Sequence, residues 1–170
     1  MDVFEATKKR RSVRNFKEKE IPKDFEEKLS QALIWGPSAG NLQSRKFYFV
    51  KRKELKEKVA KAAVGQNFIA LAPIVVVGCA DLNIEKFYRQ RGKEIYAICE
   101  AAVSLQNMML VATSLGLGTC WVGAFEENEI KKALDIPDYL RPIAIVPVGF
   151  PDSIPPAPER KSKEEIIKKK

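Results

Sequence analysis

The chain has 170 residues, 45% of them hydrophobic and 31% charged, and carries a net charge of +8 at neutral pH. That length suits one domain with a sizeable core, and 1–170 reads as a single unit whose residues 151–170 form an extended C-terminal tail. Histidine is absent, which excludes His-ligated zinc, Ser-His-Asp triads and Cys-His dyads. With no Gly-x-x-x-x-Gly-Lys-Ser/Thr loop either, an enzyme built from this chain needs an organic cofactor and no metal.

Met1 to Phe16 is polar and basic, unlike a signal peptide or a membrane segment. Asp2 and Glu5 have the spacing of a capping box and open a short helix to about Lys9. In the run Arg10-Arg11-Ser12-Val13-Arg14, residues 10, 12 and 14 alternate as on an extended segment. Three donors then point one way, which suits phosphate oxygens or a polyol; the plainer alternative is a solvated basic terminus. Ile21-Pro22 starts a second helix, buried through Phe25, Leu29, Ala32 and Leu33 and capped at Gly36. Pro37 to Ser44 is a loop of small polar residues: an ordinary connection, or a loop wrapped against a ligand.

Phe47 to Lys51 reads as a strand, Leu55, Val59 and Ala62 as the face of a helix, and Val75-Val76-Val77 as a buried strand. Asp81 to Lys93 is charged and without clear period, which suggests a mobile covering segment. Tyr96 to Leu115 is a helix apolar on nearly all sides, ending at Gly116-Leu117-Gly118. Such a helix belongs in a core, an interface or a membrane, and its length falls short of the ~20 apolar residues a bilayer needs. Thr119 to Val122 follows as a short strand, Glu126 to Leu134 as an amphipathic helix, and Ile143 to Val148 as a buried strand in which Pro147 limits pairing. The proline-rich tail ends in Arg160-Lys161 and a short charged helix. Cys79, Cys99 and Cys120 sit in apolar surroundings and read as small buried hydrophobes of a reducing cytoplasm. Lysines alternate with glutamates on the helices, as on solvated faces, which weakens a nucleic-acid reading of the positive charge.

Four stretches, in this order, resemble the FMN-dependent nitroreductase family over almost the whole chain. They are Arg10-Arg11-Ser12-Val13-Arg14, Pro37-Ser38-Ala39-Gly40-Asn41-Leu42-Gln43, Leu115-Gly116-Leu117-Gly118-Thr119-Cys120-Trp121-Val122-Gly123, and Arg160 in the tail. The resemblance implies an α+β fold with a mixed, mainly antiparallel sheet flanked by helices, built as an intertwined homodimer with FMN in the interface. It further implies that Arg10, Arg14 and Ser12 hold the phosphate, ribityl chain and pyrimidine edge, with Arg11 in the same motif and Arg160 adding to the phosphate site. Pro37, Ser38, Ala39 and Asn41 come from the other protomer, Gln66 reaches the pyrimidine edge, and the Gly123 backbone approaches flavin N5. Trp121 and Val122 fall in the same motif; core packing is the plainer role for Trp121 and Phe125. The chain departs from the family at Ser44-Arg45-Lys46, where Pro-Trp is usual.

The implied activity is hydride transfer from NADH or NADPH through FMN to a small organic acceptor such as a nitroaromatic or quinone. Gly123 and Arg14 act there through position and charge. The alternatives are reductive dehalogenation or flavin breakdown on the same fold, or a basic nucleic-acid module. The expected setting is cytoplasmic, with no membrane and no nucleic acid.

Overall fold

The computed structural model describes Met1–Lys170. Its centre is a four-stranded antiparallel sheet in the order β1 (Arg45–Val50), β2 (Ile74–Asp81), β4 (Leu140–Gly149) and β3 (Gly118–Thr119). A parallel bridge from Ser12 to Thr119 adds the arginine segment beyond β3, so the sheet is mixed only at that edge. β2 is buried on both faces, which is why it reads as an unbroken β-branched run.

Alternate residues of the central strands feed two cores. Val75, Val77, Cys79 and Ile145 pack with Val59, Ile69 and Ile130 from α3 (Lys53–Ala62), α4 (Phe68–Leu71) and α7 (Glu127–Leu134). Ile74, Val76, Ala144, Val146 and Val148 face Leu29 and Leu33 of α2 (Lys23–Ile34) and Leu105, Met108 and Met109 of α6 (Ala97–Ser114). The result is a helix–sheet–helix sandwich. α1 (Val3–Lys9) carries the expected capping box, with the Glu5 N–H donating to Asp2 Oδ1 at 2.8 Å. The tail lies outside the sandwich, exposed from Asp152 onward, with a short capped helix α8 (Lys163–Ile166).

Four expectations need correction. The segment Asp81–Lys93 is helical: a 3₁₀ turn Leu82–Ile84, then α5 (Glu85–Arg91) kinked at Arg89 (φ 51°, ψ −150°), then a π-helical turn Gly92–Tyr96 running into α6. α5 buries none of its residues, so it has no amphipathic period to read. The same continuity makes Leu82–Ser114 a run of 33 residues, long and apolar enough to cross a membrane by length and composition, so length alone is no argument. The burial of Ala97, Ala101, Leu105, Met108 and Ala112 against protein identifies it as a core helix. Gly36 caps α2 by no left-handed turn; a Cβ there would meet Ser104 Oγ of α6 at 2.1 Å, so glycine permits the two helices to touch. Arg45 caps α2 instead, donating to Ile34 O at 2.9 Å and Gly36 O at 2.6 Å.

Pro147 does not limit pairing, because it stands opposite Val75 in a continuous ladder. The Ile145 N–H points away from β2, to Val122 O at 2.9 Å. Two residues on, the proline's missing N–H points the same way, into the gap between the Val122 bridge and β3.

Candidate functional site

The arginine segment is held by backbone. The Val13 N–H donates to Thr119 O at 2.9 Å, and Val13 is buried against Gly118. Burial pushes the Cys120 thiol up, while Arg14, the Ser12 hydroxyl and Arg10 pull it down by less. Arg14, Ser12 and Arg10 therefore all lie near the buried Cys120 sulfur. Cys120 itself is a member of this site that its apolar surroundings in sequence did not mark.

None of the ion pairs in the chain involves Arg10 or Arg14. The Arg14 guanidinium lies 5.8 Å from the centroid of the Phe68 ring. Arg11 turns away, donating to Lys8 O and Arg10 O. Two unneutralised guanidinium groups beside a hydroxyl suit a phosphate ester.

Across from them, Gln66 donates to Ala63 O at 3.0 Å and Ala124 O at 3.4 Å, which ties the Gln66 segment to the turn at Gly123. Gly123 is exposed, and its N–H has no acceptor in the protein. A Cβ built on Gly123 meets only Trp121 Nε1, at 3.7 Å. Nothing in the chain itself requires glycine there. Val122 is buried and points into the core, and its N–H and C=O are both paired with Ile145, so it offers this surface neither side chain nor free backbone. Trp121 is 38% exposed, against the plainer reading of it as core, whereas Phe125 does pack on the core.

Arg160 is exposed and makes no hydrogen bond or ion pair, and nothing in the chain brings it to Arg10 or Arg14. The tail before it passes Arg10 and Arg11. A cleft of about 350 Å³ is lined by Arg10, Arg11, Gly116, Gly118, Ile154 and Pro155 among others.

Pro37, Ser38, Ala39 and Asn41 form a separate cluster. The loop carries three left-handed residues, Gly40 (φ 55°), Asn41 (φ 55°) and Gln43 (φ 53°). Glu100, buried in the first turn of α6, accepts the Ala39 N–H at 2.9 Å and the Ser44 N–H at 2.7 Å. Arg45 also donates to Pro37 O at 3.1 Å. Burial lowers the Arg45 pKa, and the negative charge of Glu100 offsets part of that. Neither residue was marked in the sequence: Glu100 is one carboxylate at the edge of an apolar helix, and Arg45 sits where the loop departs from the family pattern. The Tyr88 hydroxyl covers Gly40 so closely that a Cβ there would lie 2.6 Å from it.

The two clusters lie at opposite ends of α6. Glu100 anchors one near the first turn, and the arginine segment joins β3 just past Ser114. At 1.5 Å rise per residue they are about 21 Å apart along the helix. Between them α6 presents an uncharged outer face, with Cys99, Val103, Gln106 and Ser114 exposed and Leu110 half-buried. Cys99 is therefore a surface thiol in the single chain, contrary to expectation, while Cys79 and Cys120 are buried.

The model of the Nitroreductase family matches residues 7–91 and 63–150. A solved nitroreductase family protein from Clostridium novyi NT is similar at 34% identity and a TM-score of 0.81, over 89% of this chain and 86% of that one. A relative from Methanothermobacter thermautotrophicus, whose name refers to an NADH dehydrogenase/NAD(P)H nitroreductase, is 30% identical over 159 residues, 91% of this chain and 80% of its own. The FMN reductase [NAD(P)H] of Bacillus subtilis is 28% identical over 164 residues, 88% of this chain and 66% of its own length.

Proposed function

Because the chain belongs to the nitroreductase family, we propose that it is an NAD(P)H-dependent flavin oxidoreductase that carries FMN and reduces a small organic acceptor such as a quinone or nitroaromatic. The observation that carries this reading is the Arg10–Arg14 segment pinned to β3 by the Val13–Thr119 hydrogen bond, with no carboxylate to neutralise Arg10 or Arg14. The names of the relatives, an FMN reductase and an NAD(P)H nitroreductase, support the same cofactors.

FMN, when bound, supplies the two-electron chemistry, taking hydride from NADH or NADPH and handing it to the acceptor. The residues of the chain do the rest. Arg10, Ser12 and Arg14 bind the phosphate and ribityl oxygens by charge-assisted hydrogen bonds. Arg160, free of any partner in its own chain, joins them on assembly. Arg14 also sets positive charge beside the ring, which favours the charge that reduction brings. Gln66 faces the pyrimidine edge. Gly123 has a free N–H and no side chain, so its backbone would be able to approach flavin N5 closely. Trp121, exposed in one chain, becomes a wall that keeps water off the ring.

The protein acts as a homodimer in this reading. One chain keeps its two clusters about 21 Å apart, and an antiparallel partner lying on the uncharged face of α6 brings Pro37, Ser38, Ala39 and Asn41 of one protomer to the arginines of the other. That partner covers Val103 and Leu110. Residues 1–170 form one domain, with 151–170 as a tail that serves assembly. Three free thiols and no disulfide support a reducing, cytoplasmic setting.

The test is direct. Purified protein should be yellow, release FMN on denaturation at about one per chain, and oxidise NADH or NADPH when quinones or nitroaromatics are supplied. A colourless protein that takes up no added FMN refutes the proposal.

A further inference from the structure

Glu100 is a buried carboxylate, 3% exposed, for which the proposed chemistry has no use. Its two oxygens receive the Ala39 and Ser44 N–H groups, and these amides bracket Gly40, Asn41 and Gln43, all held in the left-handed region. That conformation comes readily to Gly and is tolerated by Asn, but it is disfavoured for Gln43 unless the surroundings impose it. Arg45 fixes the near end of the loop through three carbonyls, and Tyr88 lies over Gly40. Of the loop so held, only Leu42 packs on the core. Pro37, Gly40, Asn41 and Gln43 are exposed. Burying a charge to fix the path of an exposed loop is costly unless the path itself is used.

On the functional reading above, we propose that Glu100 is a positioning residue of the cofactor site. By clamping both ends of the 39–44 loop it presents Ser38, Ala39 and Asn41, in one fixed backbone shape, to the FMN held by the neighbouring protomer. The carboxylate touches no cofactor atom. It acts through the loop, and it explains why a lone acid stands at the start of an otherwise apolar helix.

Glu100→Gln in the full-length protein tests this. The amide keeps the shape and one acceptor, and sets an NH₂ group against the other N–H. In FMN-free protein, hydrogen exchange at the Ala39 or Ser44 amide should quicken while the dimer sediments as wild type. The Kd for FMN should rise roughly tenfold or more, with an altered visible band for the bound flavin. Ala39→Pro removes one of the same hydrogen bonds from the loop side. Ser38 already has the extended backbone (φ −148°, ψ 149°) that a following proline requires, and position 39 opens the 3₁₀ turn. It should weaken FMN binding while the Ser44 amide stays protected, and it decides the matter if Glu100→Gln does not fold. Ala39→Val, which keeps the N–H, controls for bulk. A folded Glu100→Gln protein with wild-type exchange, or with wild-type FMN affinity and band shape, overturns the proposal. So does Ala39→Pro binding FMN no worse than Ala39→Val. A wild-type control that binds no FMN overturns the functional reading itself and is recognised as such before any variant is compared.

Discussion

Gly123→Ala should move folding and function in opposite directions. In the single chain the new methyl meets only Trp121 Nε1 at 3.7 Å, an ordinary contact, and Gly123 does not occupy the left-handed region. An alanine there therefore fits the FMN-free protein and reduces the entropy of the unfolded chain, stabilising by about 0.4–1 kcal/mol. For a protein of this size that raises the melting temperature by about 1–4 °C. With FMN bound, the same methyl stands between the backbone and the ring. Making room by shifting the 122–124 turn costs about 1–3 kcal/mol, or roughly 5- to 150-fold in FMN Kd or in the rate of flavin reduction by NADH. Gly123→Val should lose more. The assays are differential scanning fluorimetry of FMN-free protein, fluorescence titration with FMN, and stopped-flow reduction. An alanine variant with wild-type flavin affinity and reduction rate removes Gly123 from the ring. A variant less stable than wild type without FMN shows that something in the protein itself requires glycine there.

Arg14→Ala should lose a charge-assisted contact of about 1.5–3 kcal/mol, raising the FMN Kd roughly 10- to 150-fold by fluorescence titration; an unchanged Kd takes Arg14 out of the phosphate site. Cys99 should be slow toward a thiol reagent in the native protein and fast once Val103→Asp places an unpaired charge on the outer face of α6 and splits the dimer, whereas equal rates would mean that this face is free in both. Burial pushes the Cys79 thiol up to about 12, with Lys131 opposing it more weakly, and Tyr48 beside it is raised as well. A thiol held protonated in the fold stabilises fully below its unfolded pKa of about 8.5, and that contribution falls by about 1.4 kcal/mol per pH unit as pH climbs toward 12. Urea midpoints between pH 8 and 11 should thus decline less steeply in Cys79→Ala than in wild type, and parallel declines would mean that the buried thiol is not their source.

The layers of the fold were legible because their residues repeat. β2 shows as a β-branched run because both its faces are buried, and α6 shows as a helix because its apolar residues recur at three- and four-residue steps. What stayed hidden depends on tertiary partners. Gly36 looks like a helix cap until Ser104 of α6 is seen against it. Pro147 looks like a pairing defect until Ile145 shows which way its missing N–H points. α5 and its π turn carry no amphipathic stripe, so only the fold reveals them.

The site divides in the same way. The alternation of Arg10, Ser12 and Arg14 is local and could be read directly, whereas their nearness to the buried Cys120 sulfur appears only in the fold. Glu100 and Arg45 could not be read, because each acts on residues distant in sequence, Glu100 on amides 61 and 56 positions away. The uncharged outer face of α6 could be read as apolar but not as open, since one sequence pattern serves a core and an interface alike.

The shared site is the central claim, and sedimentation velocity followed at a flavin wavelength tests it most directly. Wild-type protein diluted in steps should show flavin absorbance only in a species twice the 19.2 kDa chain, and FMN should dissociate as that species disappears. A 19.2 kDa species that retains its full complement of FMN would contradict a site shared between protomers.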